Sequence, residues 1–246
     1  MSSNQTRLVP ADRHNLAEEI RSIVPFIVLV DISGSMCQVE PALNQALTAL
    51  PAELAQVPWV AAAVELGVIT FNHEAVEHQP LTRATHDQTI PAITCGGGTD
   101  YAAAFELLDQ VLQRETARIA ADGHGVRRPV VFMLTDGNPN SDADWQTPLH
   151  RLNNRTNRDG VPMHPSLFAF GYGQVNDDIL AQVANTAGFR FDHQQPDRSI
   201  SCGFPAEVLG DIISTMARCK LDINEVVPDS VTVLAPTNVS ASSGKP

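Results

Sequence analysis

Apolar runs just long enough for a β-strand, each closed by a polar turn and separated by helical periods, constrain this chain more than any other feature. The first, VPFIVLV from Val24, is β-branched and aromatic throughout and stops at Asp31. A strand apolar on both faces belongs in the middle of a sheet that is covered on both sides. A second run, Glu65 to Phe71 (ELGVITF), leads through Asn72-His73 into AVEHQPL, whose alternation and Pro80 suit a hairpin return on an exposed edge. PVVFML, Pro129 to Leu134, is a third strand and runs into Thr135-Asp136-Gly137. Ser166 to Gly171 is a fourth, and Phe189 to Phe191 a weak fifth.

Helical periods fall between these strands. Leu43, Leu47, Leu50 and Leu54 share one face, with Pro51 expected to bend or end their helix. Phe105, Leu108, Leu112 and Ile119 line a second helix, with Thr99 or Asp100 as its N-cap and with Glu115 and Arg118 turned outward. Asn176 to Ala187 reads as a third, capped by Asn176, with Ile179, Leu180, Val183 and Ala184 inward and Gly188 ending it. Pro205 to Cys219 reads as a last helix. Strands alternating with helices, and too apolar to face water, imply an α/β fold with a mainly parallel sheet, one antiparallel edge strand and helices on both faces.

Residues 1–22 are polar and read as an N-terminal arm, 23–220 as one domain, and the Pro- and Ser-rich 221–246 as a flexible tail. No apolar run approaches the roughly 20 residues needed to cross a bilayer, and the N-terminus has no signal-peptide core, which points to the cytoplasm. Lys and Arg total 16 against 28 Asp and Glu, a formal charge of -12, so nucleic acid and anionic membrane are disfavoured as partners. Cations and basic surfaces are favoured. Four cysteines, at 37, 95, 202 and 219, have neither disulfide-scaffold density nor C-x-x-C zinc spacing, and reduced thiols are expected.

In a parallel α/β sheet, ligands sit beyond the carboxyl ends of the strands, near the point where strand order reverses. The first strand ends in Asp31-Ile32-Ser33-Gly34-Ser35, a carboxylate and two hydroxyls alternating along a tight turn. The third strand delivers Asp136, and the glycine-rich Cys95-Gly96-Gly97-Gly98-Thr99 can fold over the same edge to present Thr99. Hydroxyls and carboxylates in this number suit a small hard cation such as Mg²⁺, which takes oxygen ligands and keeps some of its waters. Asp100 reads as a helix cap, and Asp142 and Asp144 as a solvated helix start that would add negative charge to the rim.

Asp31, Ser33, Ser35, Thr99 and Asp136, in this order and spacing, resemble the metal-ion-dependent adhesion site of von Willebrand factor type A domains, Asp-x-Ser-x-Ser, then Thr, then Asp. The resemblance covers roughly Val24 to Cys219 and implies the Rossmann-like fold of that family. VPFIVLVDISGSM, ITFNHEA, CGGGTDYAAAFELL and PVVFMLTDGNPN are similar to the TerY-like branch associated with tellurite resistance. The family implies that Ser33, Ser35 and, in one state, Thr99 bind the metal directly, that Asp31 and Asp136 act mainly through water, and that one position stays open for a partner's carboxylate. Mg²⁺, Mn²⁺ or Ca²⁺ would serve. In adhesion members, metal rearrangement is coupled to movement of the last helix, here Pro205 to Cys219. The branch implies kinase or phosphatase partners in stress signalling.

The expected output is metal-dependent protein binding without catalysis. A metal-dependent phosphohydrolase is the alternative, because Asp31 follows a first strand as in haloacid-dehalogenase enzymes. Ser33, however, stands where those enzymes carry their second Asp, and there is no P-loop, dinucleotide fingerprint or G-x-S-x-G elbow. A structural scaffold that retains the site is a further alternative. Cys37 and Cys95 are expected at the same sheet end, as inert packing or as a redox or metalloid sensor.

Overall fold

The computed structural model describes residues 22–140, 143–156, 163–172, 175–191 and 231–234. Its centre is an eight-stranded sheet. β1 is Ser22–Asp31, β2 Val64–Phe71, β3 Ala75–Arg83, β4 Gly125–Val126, β5 Val130–Thr135, β6 Ser166–Tyr172, β7 Ala187–Phe191 and β8 Val231–Leu234. The order across the sheet is β3-β2-β1-β5-β6-β7-β8, with the short β4 pairing with the start of β1. From β1 the chain builds outward on one side through β2 and β3, then crosses back to lay β5 on the other flank. The strand order therefore reverses between β1 and β5.

The apolar runs explain the layers. On β1, Phe26, Val28 and Val30 enter one core while Ile27 and Leu29 enter the other, all of them buried. The first core packs under α1 (Glu40–Ala55) through Leu43, Leu47, Leu50 and Leu54, as the leucine spacing predicts. Phe132 anchors it, with ring centroids 5.0 Å from Phe26 and 5.3 Å from Phe168, in the edge-on arrangement aromatic rings favour. The second core is covered by α3 (Tyr101–Ala121), α4 (Gln146–Asn153) and α5 (Asp177–Val183). A short α2 (Pro58–Ala63) leads into β2.

Several local expectations are corrected. α1 continues through Pro51, which is itself buried. The missing hydrogen bond and ring clash cost about 3 kcal/mol, and four buried leucines at roughly 1.5–3 kcal/mol each outweigh that. α5 ends at Val183, and Gly188 lies inside β7. Asn185 ends the helix: its side chain accepts from Leu167 N–H at 2.8 Å and donates to Asn153 Oδ1 at 2.7 Å and Pro165 O at 2.9 Å. β3 is the expected antiparallel edge, but β8 adds a second antiparallel strand at the opposite edge. The sequence pattern places Val231–Leu234 in the flexible tail. Edge pairing depends mainly on backbone groups and β-branched residues, and VTVL supplies both. The Pro205 to Cys219 helix and the N-terminal arm lie outside the described residues, apart from Ser22, which opens β1.

Glu115 does not face solvent as expected. It is buried beneath Arg114 and Arg118, 2.8 Å and 2.6 Å away, and the same arginines reach Glu77 on β3 and Glu65 on β2. Burial alone would raise the Glu115 carboxyl; the two guanidiniums outweigh it and hold the group below its ordinary value. The cluster ties α3 to the β2–β3 edge. Glu115→Ala, which leaves Arg114 to Glu77 and Arg118 to Glu65 and Asp122, should lower stability by about 1–2 kcal/mol in urea melts. Asp122→Ala, which removes only an exposed 3.2 Å contact to Arg118, should change it by less than about 1 kcal/mol.

Candidate metal centre

β1 and β5 pair in register through Val30 and Leu134, so Asp31 at the end of one strand and Asp136 just past the end of the other flank the reversal point. Asp31 is fully buried. Its Oδ1 accepts from Ser33 N–H at 2.8 Å, a contact that turns the chain sharply out of the strand. The 3₁₀ turn Gly34–Gln38 then folds Ser35 back until its Oγ lies 3.1 Å from Ser33 Oγ. Ser35 Oγ donates to Asp136 Oδ1 at 2.7 Å.

The glycine-rich loop folds over this edge as expected. Gly34 N–H donates to Gly97 O at 3.0 Å, and Gly96 N–H to Ile32 O at 2.7 Å. Asn72 Nδ2 holds Gly96 O at 2.8 Å. Gly97 has φ +83°, and a Cβ there would stand 2.6 Å from His73 Nδ1, so the residue must be glycine on both counts. Beyond it, Asn140 N–H donates to Thr99 O at 2.8 Å and Asp100 N–H to Asn72 O at 2.6 Å. Thr99 is buried, and Asp100 caps α3 by accepting from Ala103 N–H at 3.1 Å.

All five residues predicted from the sequence thus meet at one place. Gly137 shows the space between them: a Cβ there would lie 3.4 Å from Thr99 Oγ1, 3.8 Å from Asp31 Oδ2 and 3.9 Å from Ser35 Oγ. The three atoms nearest that point are all oxygens, two of the five groups are carboxylates, and Ser35 is exposed to solvent. This donor set fits a hard divalent cation. Among the described residues no three His, Cys, Asp or Glu side chains gather, so a nitrogen- and sulfur-rich centre has no counterpart there.

Some groups singled out in the sequence fall elsewhere. Asp144 accepts from Thr147 N–H at 3.1 Å and Thr147 Oγ1 at 2.6 Å and so starts α4; Asp142 lies outside the described residues. Cys37 is exposed and Cys95 half-buried, both as free thiols. Burial, with Glu40 and Cys37 adding to it, pushes the Cys95 thiol up to about 12, which suits packing better than reactivity. Cys202 and Cys219 are outside the described residues. Thr135 and Tyr101 were missed. Thr135 Oγ1 donates to Asp31 Oδ2 at 2.6 Å, and strand register could have found it, since it follows Leu134 directly opposite the end of β1.

Residues 26–138 match the model of the von Willebrand factor type A domain. The matched segment builds β1 to β5 and holds all five oxygen-bearing positions. Among solved structures, similarity extends to the mussel byssus proximal thread matrix protein 1 with a zinc-occupied MIDAS motif: 23% identity over 67% of this chain and 42% of that one, TM-score 0.47. The ArnB paralog VWA2 of Sulfolobus acidocaldarius is 18% identical over 69% of this chain and 41% of that one, TM-score 0.47. Manganese-loaded TRAP of Plasmodium vivax is 17% identical over 86% and 76%, TM-score 0.48. The chain spans about two fifths of the length of the mussel and archaeal structures. No curated protein matches it in sequence.

Burial pushes the Asp31 carboxyl up to about 6, against the opposing hydrogen bonds from Thr135 and Ser33, and the nearby Asp136 charge adds to the rise. Asp136 is raised too, again by burial, with Ser35 opposing. Because folded Asp31 holds its proton more tightly than the unfolded chain does, stability contributed by the protonated form is lost as pH rises from about 4 through 6. Above that window the metal-free protein carries a penalty of roughly 3 kcal/mol, at about 1.4 kcal/mol per tenfold change in proton affinity. In chelator at pH 7.5, Asp31→Asn should therefore melt several degrees above the parent, and the parent alone should gain melting temperature when Mg²⁺ is added. A variant that melts below the parent in chelator would contradict this balance.

Proposed function

We propose that the chain is a non-enzymatic, divalent-metal-dependent protein-binding module. The observation that carries this reading is the convergence of Asp31, Ser33, Ser35, Thr99 and Asp136 on one space at the strand reversal, closed by buried groups below and open to solvent at Ser35. Ser33, Ser35 and Thr99 would hold the ion with their hydroxyls, and Asp31 and Asp136 would supply negative charge to it. A bound Mg²⁺, Mn²⁺ or Ca²⁺ would offer an incompletely neutralised positive centre to a carboxylate of a partner protein.

The chain's own residues do the remainder. Asp31 is oriented from both sides by Ser33 and Thr135, and Ser35 bridges to Asp136. With a formal charge of -12 on the chain, a partner presenting one carboxylate amid basic residues is favoured over an acidic surface. Binding without turnover is supported by the hydroxyl of Ser33 at the position where a phosphohydrolase would need a second acid. On the resemblance to TerY-like proteins, the reading extends to a kinase or phosphatase partner in a cytoplasmic tellurite- or stress-response system.

Titration calorimetry with Mg²⁺ and Mn²⁺, followed by affinity capture from native lysate with and without chelator, tests the reading. Ser33→Ala and Asp136→Ala should each weaken cation binding at least tenfold and abolish chelator-sensitive capture while the far-ultraviolet circular dichroism stays unchanged. Partner capture that survives both chelator and substitution would leave a scaffold. Phosphoester hydrolysis that disappears in Asp31→Ala would make it an enzyme.

A further inference from the structure

Beneath the oxygen cluster three buried polar side chains from three separate elements form a row: Asp31 on β1, Thr135 on β5 and Tyr101 at the start of α3, none more than 1% exposed. The Thr135 hydroxyl donates to Asp31 Oδ2 at 2.6 Å. Thr135 Oγ1 also receives Gly137 N–H at 3.2 Å. The phenol of Tyr101 lies 2.9 Å from Gly137 O and 3.1 Å from Thr135 Oγ1, donating its single proton to one or the other. Its ring is held edge-on by Phe71, Phe105 and Trp145, with centroids 5.8–5.9 Å away, so the phenol oxygen has little freedom. A phenylalanine would fill the same aromatic box without a hydroxyl to desolvate. The hydroxyl at this depth therefore contributes something other than packing.

We propose that Tyr101 is a positioning residue of the metal centre, acting through Thr135 on the side chain of Asp31 and through Gly137 on the backbone next to Asp136. Tyr101 also stands two residues after Thr99, so one side chain links the Thr99 segment to both carboxylate-bearing strand ends. The inference rests on the metal-site reading given under Proposed function. A frame fixed in this way favours the smaller cation that demands regular geometry, Mg²⁺, over the more tolerant Ca²⁺.

The test is calorimetric titration of the full chain with Mg²⁺ and with Ca²⁺, in the parent, Y101F, T135V, T135S and a core control on the same helix, L112V. Y101F and T135V should bind Mg²⁺ about tenfold more weakly, with a smaller loss for Ca²⁺. T135S, which restores the hydroxyl, should recover the parent affinity, and L112V should melt lower with both affinities unchanged. Parent-like Mg²⁺ binding in Y101F overturns the inference whatever T135V does, and so does an equal loss for both cations that L112V shares. A parent chain that binds neither cation defeats the metal-site reading itself, a result distinct from either. If Y101F does not fold, the phenol is structural and the inference is overturned.

Discussion

The parallel pairing of β1 with β5 is the contact on which the rest depends. It is the seam where the sheet changes its direction of growth, so neither strand end is covered by the connection that follows it. Two carboxylates that are far apart in the chain are brought to that uncovered seam, one fully buried and one half-buried. Glycine at 137 keeps the volume between them free of side chain. The aromatic and aliphatic cores on both faces hold this pairing in place.

The electrostatics follow from that placement. A carboxylate removed from water prefers its neutral form, and a second one nearby strengthens the preference. Ser33 N–H and the Thr135 hydroxyl compensate in part, since they favour the ionised carboxylate. The result is a folded chain that holds a poorly solvated carboxylate where a cation would relieve it. Elsewhere the protein handles buried acid differently: Glu115 has its cations built in as Arg114 and Arg118, and that cluster is structural.

The sheet centre was legible because VPFIVLV and PVVFML are apolar at both parities, and only a covered central strand tolerates that. The five oxygen-bearing residues were legible because each sits immediately after a strand or in a loop whose glycines permit close approach. The outer parts were less readable. Asn185, which stops α5, is one polar residue in a pattern that otherwise continues, and its partners Asn153 and Pro165 are distant in sequence. Glu115 looks like a surface residue until Arg114 and Arg118 are placed over it. VTVL is too short to stand out from the Pro- and Ser-rich residues around it. Thr135 and Tyr101 escaped because their role depends on which strands are neighbours and which helix lies beneath them, facts that no local pattern carries.

The two loops that frame the site are joined by backbone hydrogen bonds between Gly34 and Gly97 and between Gly96 and Ile32, with Asn72 clasping the second loop from the side. These bonds hold both loops in place without a guest. Little backbone freedom is left to lose on capture of an ion, so association would be limited by shedding water from the guest and by access past Ser35. The mouth of the crevice would then work as a preset gauge rather than a closing grip.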